Sequence, residues 1–253
     1  MRARLLTVQN VAVRFAEFPA VHAFSLKSAG NMSQRWGKEE VKDNRLRFFM
    51  TMGIWEDSVI SMAVEHNSRI EAVDHGGLAR NLIHCDGLIT DDPSVTLALA
   101  LGDCLPIVMA SDDRSVVALL HAGWKGADKL IARKAIALFQ NEYGITPDRL
   151  RVAIGPGIRS CCYNEPSTSL LLSERPAWTP FLREVSDGIH IDVAGYNRRQ
   201  LKESGIYPDQ IIETSLCTCC AKDSQGRFLL FSHHRAKNDR EKEGRFLVLA
   251  AAG

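Results

Sequence analysis

The densest group of reactive side chains lies between residues 100 and 126. Gly102-Asp103-Cys104-Leu105-Pro106 closes one apolar run, and His121-Ala122-Gly123-Trp124-Lys125-Gly126 follows another. If Leu105 to Ala110 and Ser115 to Leu120 run out and back about Asp112-Asp113-Arg114, Cys104 and His121 meet at the open end of a hairpin. A thiol beside an imidazole permits two chemistries. The imidazole can activate the thiol as a nucleophile. Alternatively both can ligate zinc or copper, ions that suit soft thiolate and imidazole donors. The bland alternative is an inert buried cysteine and a hydrogen-bonded turn histidine. Asp103 and the glycines Gly102, Gly123 and Gly126, which allow close backbone approach, weigh toward a site. A metal needs a third ligand. His66, His75 and His84 are the upstream candidates, and spacing does not choose among them.

Three further groups carry polar or reactive side chains. The Gly155-Pro156-Gly157 turn exposes backbone N–H groups that can hold an anion. Cys161-Cys162 follows it and reads as a vicinal pair packed inside a tight connection. Cys217-Thr218-Cys219-Cys220 contains one C-x-x-C pair. One pair without a second is weak evidence for structural zinc, so the segment reads as small residues after a strand. Arg235, at the end of Phe231-Ser232-His233-His234-Arg235, can meet a phosphate or carboxylate bidentately.

The elements that must position these groups are mostly short apolar runs. Val95 to Leu101, Leu105 to Ala110, Ser115 to Leu120, Arg151 to Ile154, Gln210 to Thr214, Phe228 to Phe231 and Phe246 to Ala250 read as buried strands. Helices are fewer. One is predicted from Gly126 to Tyr143, with Leu130, Ile131, Ala135 and Leu138 on one face and Gly144 as its stop. A second runs from about Ala194 to Ser204, with Asp192 near its start and Gly205 after it. A third begins near Asn44. Strands and helices do not alternate regularly, which predicts an α+β fold with mixed β-sheets and flanking helices. G-x-G-x-x-G and P-loop spacings do not occur, so neither kind of nucleotide site is expected. The polar stretch Ser33 to Arg45 and the mixed-charge run Lys237 to Glu243, read as a solvated loop, are not linkers. The whole chain, residues 1–253, is expected to form a single domain.

Composition narrows the classes. With 253 residues, 31 Lys plus Arg against 30 Asp plus Glu and a net charge of +1, nothing favours a nucleic-acid partner. No stretch of 18 apolar residues suggests a membrane span. The seven cysteines are odd in number and clustered, unlike a secreted disulfide framework. Gln9, Asn10 and Arg14 interrupt any signal-peptide core. A cytoplasmic protein with reduced thiols is predicted; its oligomeric state is not assigned.

Ala100-Leu101-Gly102-Asp103-Cys104-Leu105-Pro106, His121-Ala122-Gly123-Trp124-Lys125-Gly126 and Gly155-Pro156-x-Ile158-x-x-Cys161-Cys162-Tyr163 together resemble the laccase-domain family, also called multicopper polyphenol oxidase-like or purine nucleoside phosphorylase-like proteins. Some members carry the name peptidoglycan editing factor. Cys85-Asp86-Gly87-Leu88-Ile89-Thr90, Cys217-Thr218 and Ser232-x-x-Arg235 are similar to other family segments, so the likeness spans about residues 25 to 250. It departs at Glu65-His66-Asn67, where the family has Val-His-Gly, and at Ser232-His233-His234-Arg235, where it has Ser-Tyr-Arg-Arg.

The resemblance implies a catalytic zinc held by His66, Cys104 and His121, with copper the alternative cofactor. It implies purine nucleoside phosphorolysis (adenosine, guanosine, inosine, methylthioadenosine) and adenosine deamination, so the partners would be small-molecule nucleosides and phosphate. It also implies a fold similar to the catalytic domains of cytotoxic necrotizing factors, a cysteine hydrolase fold. Within that frame Cys104, His121 and Asp103 are the catalytic candidates, Asp103 orienting a metal ligand. Arg45, the Gly155 turn and Arg235 are the anion-binding candidates. Rival readings are a copper polyphenol oxidase, a metal-free Cys104–His121 hydrolase acting on cell-wall precursors, and a nucleoside-sensing module. Eight scattered histidines without a His-x-His pair argue against a multicopper centre.

Overall fold

Residues of period two dominate the middle of the chain, and each face of a strand finds a different partner. The computed structural model describes residues 4–33, 38–164, 174–186, 188–239 and 243–253. Its strands are β1 (Leu5–Val8), β2 (Ala12–Phe15), β3 (Val21–Ser25), β4 (Val59–Ala63), β5 (Ile70–Ala72), β6 (Leu82–His84), β7 (Gly87–Thr90) and β8 (Thr96–Leu101). They continue with β9 (Pro106–Ser111), β10 (Val117–His121), β11 (Leu150–Ile154), β12 (Leu182–Val185), β13 (Gly188–Ile191), β14 (Ile211–Glu213) and β15 (Phe246–Ala251). The helices are α1 (Lys38–Met52), α2 (Trp124–Asp128), α3 (Ile131–Tyr143), α4 (Val193–Glu203) and α5 (His233–Asp239).

One mixed sheet has the order β1-β2-β3-β15-β8-β4-β6 and a second the order β14-β11-β9-β10-β7-β5; β12 and β13 form a separate hairpin. Val108 and Ala110 of β9 and Val117 and Leu119 of β10 face Leu97 and Leu99 of β8 and Val248 of β15 across a core between the sheets. The alternate residues Ile107, Met109, Ala118 and Leu120 pack on Ile131, Ala135 and Phe139 of α3 and on α4. On the far side, Leu247 and Leu249 of β15 meet Phe48 and Phe49 of α1. The result is a helix–sheet–sheet–helix stack, a mixed α+β fold, in which the central strands β8, β9, β10 and β15 are buried on both faces and therefore read as continuous apolar runs.

The β9–β10 hairpin forms as expected, antiparallel with Val117 opposite Ala110 and His121 opposite Pro106. Its turn closes through Arg114 N–H on the Ser111 carbonyl and Ser115 N–H on Asp113. The helix predicted from Gly126 to Tyr143 is two helices. Leu130 breaks it with φ of 61° and lies partly exposed, while Gly144 caps α3 with φ of 66° as foreseen. The break lets α2 turn back over β10, so close that a Cβ on Gly126 would lie 2.8 Å from the His121 carbonyl oxygen. Helix α4 matches its prediction, with Asp192 accepting from Gly195 N–H at its start.

Phe228 to Phe231 is not a strand. Only Phe228 makes a bridge, to Lys222, and the Leu230 carbonyl is taken by the Arg235 guanidinium instead of a neighbouring strand. Helix α1 starts six residues before Asn44, inside the stretch read as polar, whose residues 34–37 lie outside the described residues. Of the mixed-charge run read as loop, residues 237–239 finish α5 and 240–242 lie outside the described residues. No helix among the described residues is long and apolar enough to cross a membrane.

Candidate metal centre and active site

Cys104 follows β8 and His121 ends β10, so the hairpin brings both to one end of the sheet stack. His66 arrives from the loop after β4. One ligand atom each from His66, Cys104 and His121 lies within 4.8 Å of the others. The His66 and His121 rings meet edge to face, with centroids 4.9 Å apart. His121 is buried, Cys104 half-buried and His66 exposed, so the group opens to solvent on one side. The structure thus gathers the His66, Cys104 and His121 set, while His75 begins a 3-10 turn capped by Asp74 and His84 pairs with Glu65.

Asp86 organises this group. Its buried carboxylate accepts from His121 Nδ1 at 2.9 Å and from the backbone N–H groups of His66, Asn67 and Ser68 at 2.8, 2.5 and 3.0 Å. The loop wraps the carboxylate by taking left-handed conformations at His66 (φ 61°) and Ser68 (φ 67°), although neither is glycine. Burial would raise the Asp86 pKa, but the His121 hydrogen bond and the loop N–H groups outweigh it and hold the carboxyl well below its usual range. Burial likewise opposes the imidazolium of His121, yet the Cys104 charge and Asp86 raise it to about 9. A charged or donor-bearing Nδ1 facing Asp86 leaves Nε2 for the Cys104 side, the arrangement of a ligating histidine.

The space around these donors fits an ion. A Cβ built on Gly123 would stand 2.6 Å from Cys104 Sγ and 3.5 Å from His121 Nε2, so only glycine leaves this hollow open. Two imidazoles and a thiolate supply three ligands and leave a fourth position free, the donor set of catalytic rather than structural zinc.

Above the donors lies a cavity of about 210 Å³. Leu105, Trp124, Ile158, Tyr163 and Val193 give it an apolar and aromatic wall, Lys125 and Lys237 give it cationic groups, and the imidazoles of His233 and His234 line it beside them. Helix α4 braces the wall from behind: Asn197 donates to the Ala122 carbonyl and Gln200 to that of Ala127.

Asp103 lines the cavity but does not orient a metal ligand. Its carboxylate accepts from Thr218 Oγ1 and from His234 N–H, both at 2.6 Å, and ties the start of α5 to the Cys104 loop. The carboxylate that orients a ligand is Asp86. Its segment was visible as a family-like motif, but its role depends on backbone donors that spacing does not show. The anion-binding candidates lie elsewhere. Arg45 donates to Ser61 Oγ and lies over Phe49. Gly155 is pressed under the Phe24 ring and Pro106. Arg235 is buried, with its guanidinium on the carbonyls of Thr218, Cys219 and Leu230. None of the three is among the cavity-lining residues. Lys125, Tyr163, His233, His234 and Lys237, which sequence reasoning did not select, are.

Residues 26–252 match the family described as multi-copper polyphenol oxidoreductase laccase. Purine nucleoside phosphorylase YlmD of Geobacillus stearothermophilus is 33% identical over 83% of this chain and 78% of that protein. Adenosine deaminase RL5, from an unknown prokaryotic organism, is 28% identical over 73% of this chain and 74% of its own. The crystal structure of YlmD from Geobacillus stearothermophilus superposes with a TM-score of 0.86 at 29% identity, covering 99% of each chain.

Proposed function

The chain belongs to the multi-copper polyphenol oxidoreductase laccase family, and we propose that it is a zinc-dependent purine nucleoside phosphorylase with adenosine deaminase activity. The observation that carries this reading is the convergence of His66, Cys104 and His121 beneath a cavity with an aromatic wall and a cationic side. The names of the phosphorylase and deaminase relatives support the substrate class. Adenosine, guanosine, inosine and methylthioadenosine are the proposed nucleosides. The chain acts as one domain, since both sheets contribute to the core beneath the site, and it works in the cytoplasm with its thiols reduced.

His66, Cys104 and His121 would hold the zinc, which would supply Lewis acidity beside the cavity. The protein's own groups do the rest. Asp86 fixes the His121 ring and, through the loop N–H groups, the place of His66. Trp124, Ile158 and Tyr163 take the purine face and exclude water from it. Lys125 and Lys237 attract phosphate and hold its charge. In phosphorolysis a phosphate oxygen bonds to the anomeric carbon as the bond to the base nitrogen breaks. That electron pair leaves with the purine, which takes up the proton that hydrogen phosphate loses on becoming the ester.

The donor set supports zinc over a copper oxidase. Among the described residues the two groups able to hold a metal contain two imidazoles in one and none in the other, too few for a centre of several coppers. One observation favours a second reading. Asp86, His121 and Cys104 stand in the order of an orienting acid, a base and a thiol nucleophile, which fits a metal-free hydrolase acting on cell-wall precursors.

Incubation with inosine or adenosine and phosphate tests the proposal. Free base and ribose 1-phosphate, lost in Cys104→Ala and after chelation, are expected. Their absence from zinc-loaded protein overturns phosphorolysis. Activity and rapid thiol alkylation that persist after zinc is stripped would establish the hydrolase instead.

A further inference from the structure

Four cysteines outside the active centre come together although about 55 residues separate the two pairs. One sulfur each from Cys161, Cys162, Cys217 and Cys220 lies within 4.8 Å of the others. The topology explains how. β11 and β14 are parallel neighbours, with Val152 beside Ile211 and Ile154 beside Glu213. The loops that follow them leave the same end of the sheet and run side by side. Gly157 bridges Cys217, and Thr218 N–H donates to the Gly157 carbonyl. The first loop carries Cys161 and Cys162, the second Cys217 and Cys220. The bland sequence readings fail here: Cys161 is exposed rather than packed inside, and Cys217 and Cys220 are more than small residues after a strand.

We propose that Cys161, Cys162, Cys217 and Cys220 bind a second zinc ion as a closed tetrathiolate site, distinct from the His66–Cys104–His121 centre. The spacing suits an ion and not a covalent bridge. Cys161 Sγ and Cys220 Sγ are 3.7 Å apart, against about 2.05 Å in a disulfide. Zn–S bonds of about 2.3 Å set tetrahedral S···S edges of about 3.8 Å. Cys217, the buried member, accepts the Arg159 N–H at 3.4 Å, a backbone donor aimed at its sulfur. The C-x-x-C of the second loop pairs with a second cysteine pair in space, which supplies what the sequence lacked.

Four protein ligands leave no open position, so the site is structural. It clamps the segment bearing Ile158 and Tyr163, two walls of the cavity, to the segment bearing Thr218, the partner of Asp103. The proposal stands whether or not the nucleoside reading does, because its readout is metal content.

Protein purified under reducing conditions with added zinc should contain two zinc ions per chain. Cys104→Ala and Cys220→Ser should each lose one and keep one. Because Cys220→Ser can fail to fold, cobalt replacement in Cys104→Ala provides a second measurement. The one remaining cobalt should show the intense thiolate charge-transfer and visible bands of a tetrahedral tetrathiolate. One zinc in the wild type with none in Cys104→Ala overturns the site. So does unchanged content in folded Cys220→Ser. A Cys161–Cys220 disulfide in freshly purified protein, read as fewer than seven titratable thiols after denaturation, overturns it as well.

Discussion

Replacing Asp86 with Asn changes one oxygen into an NH2 group with no change of shape, and the consequences follow from four hydrogen bonds. Oδ1 accepts from His66 N–H and His121 Nδ1, and Oδ2 from Asn67 and Ser68 N–H. An Asn that keeps its oxygen at the Oδ1 place turns its NH2 on two backbone donors. With the oxygen at the Oδ2 place, only the His66 N–H loses its acceptor, provided His121 switches tautomer and accepts at Nδ1. The second arrangement is cheaper by one unsatisfied buried donor, about 1–3 kcal/mol. It puts the ring proton on Nε2, which cannot then ligate. Asp86→Asn should therefore lose about 1–3 kcal/mol of stability, or about 2–10 °C in Tm for a chain of this size. Recovering the ligating tautomer costs the second orphan donor, so zinc affinity should drop about 10–100-fold. Chelator-competition titration reads the affinity and urea denaturation of the metal-free protein reads the stability. An affinity within about twofold of wild type would refute the assignment of Asp86 as the group that sets the His121 tautomer.

Other expectations are equally direct. Gly123→Ala places a methyl 2.6 Å from Cys104 Sγ at an ordinary backbone conformation (φ −64°). Its zinc affinity should fall about 10–100-fold while its circular dichroism stays native. The metal-free protein should lose stability as pH rises through about 9, because the raised His121 pKa contributes stability fully present below the ordinary imidazole range and lost on deprotonation. Zinc replaces that proton, so thermal scans of the zinc-loaded protein should lack the step. Trp178 is buried, stacks on Tyr196 at 3.7 Å and donates to Asp128. Trp178→Ala should cost about 3–5 kcal/mol, a Tm loss of about 10 °C, in any metal state.

What the sequence showed and what it hid divide by range of interaction. The β9–β10 hairpin and the approach of Cys104 to His121 are local: an Asp-Asp-Arg turn between two apolar runs encodes them. Helix α4 is local too, marked by Asp192 and Gly205. His66 is not. It reaches the site because its loop folds on Asp86, a bond pattern made by backbone N–H groups of residues with no special identity. The cysteine cluster depends on β11 and β14 lying side by side, a parallel pairing no local pattern carries. Arg45 and Arg235 misled for a different reason. A guanidinium can bind a ligand or hold backbone and side-chain oxygens inside the fold, and both uses look alike in one dimension. The break at Leu130 defeats the helical period because exposure of one leucine is settled by how α2 must fold back over β10.

Asp103 sits at φ 100°, a conformation that costs a non-glycine residue about 1–3 kcal/mol. A Gly at that position would relieve the backbone and at the same time release Thr218 and His234. Those two donors would lose their acceptor at about 1–3 kcal/mol each, which offsets the relieved backbone. Tension at this corner is thus held in place by the polar contacts it makes possible, and a mutant library selected only for survival at high temperature should keep Asp at position 103.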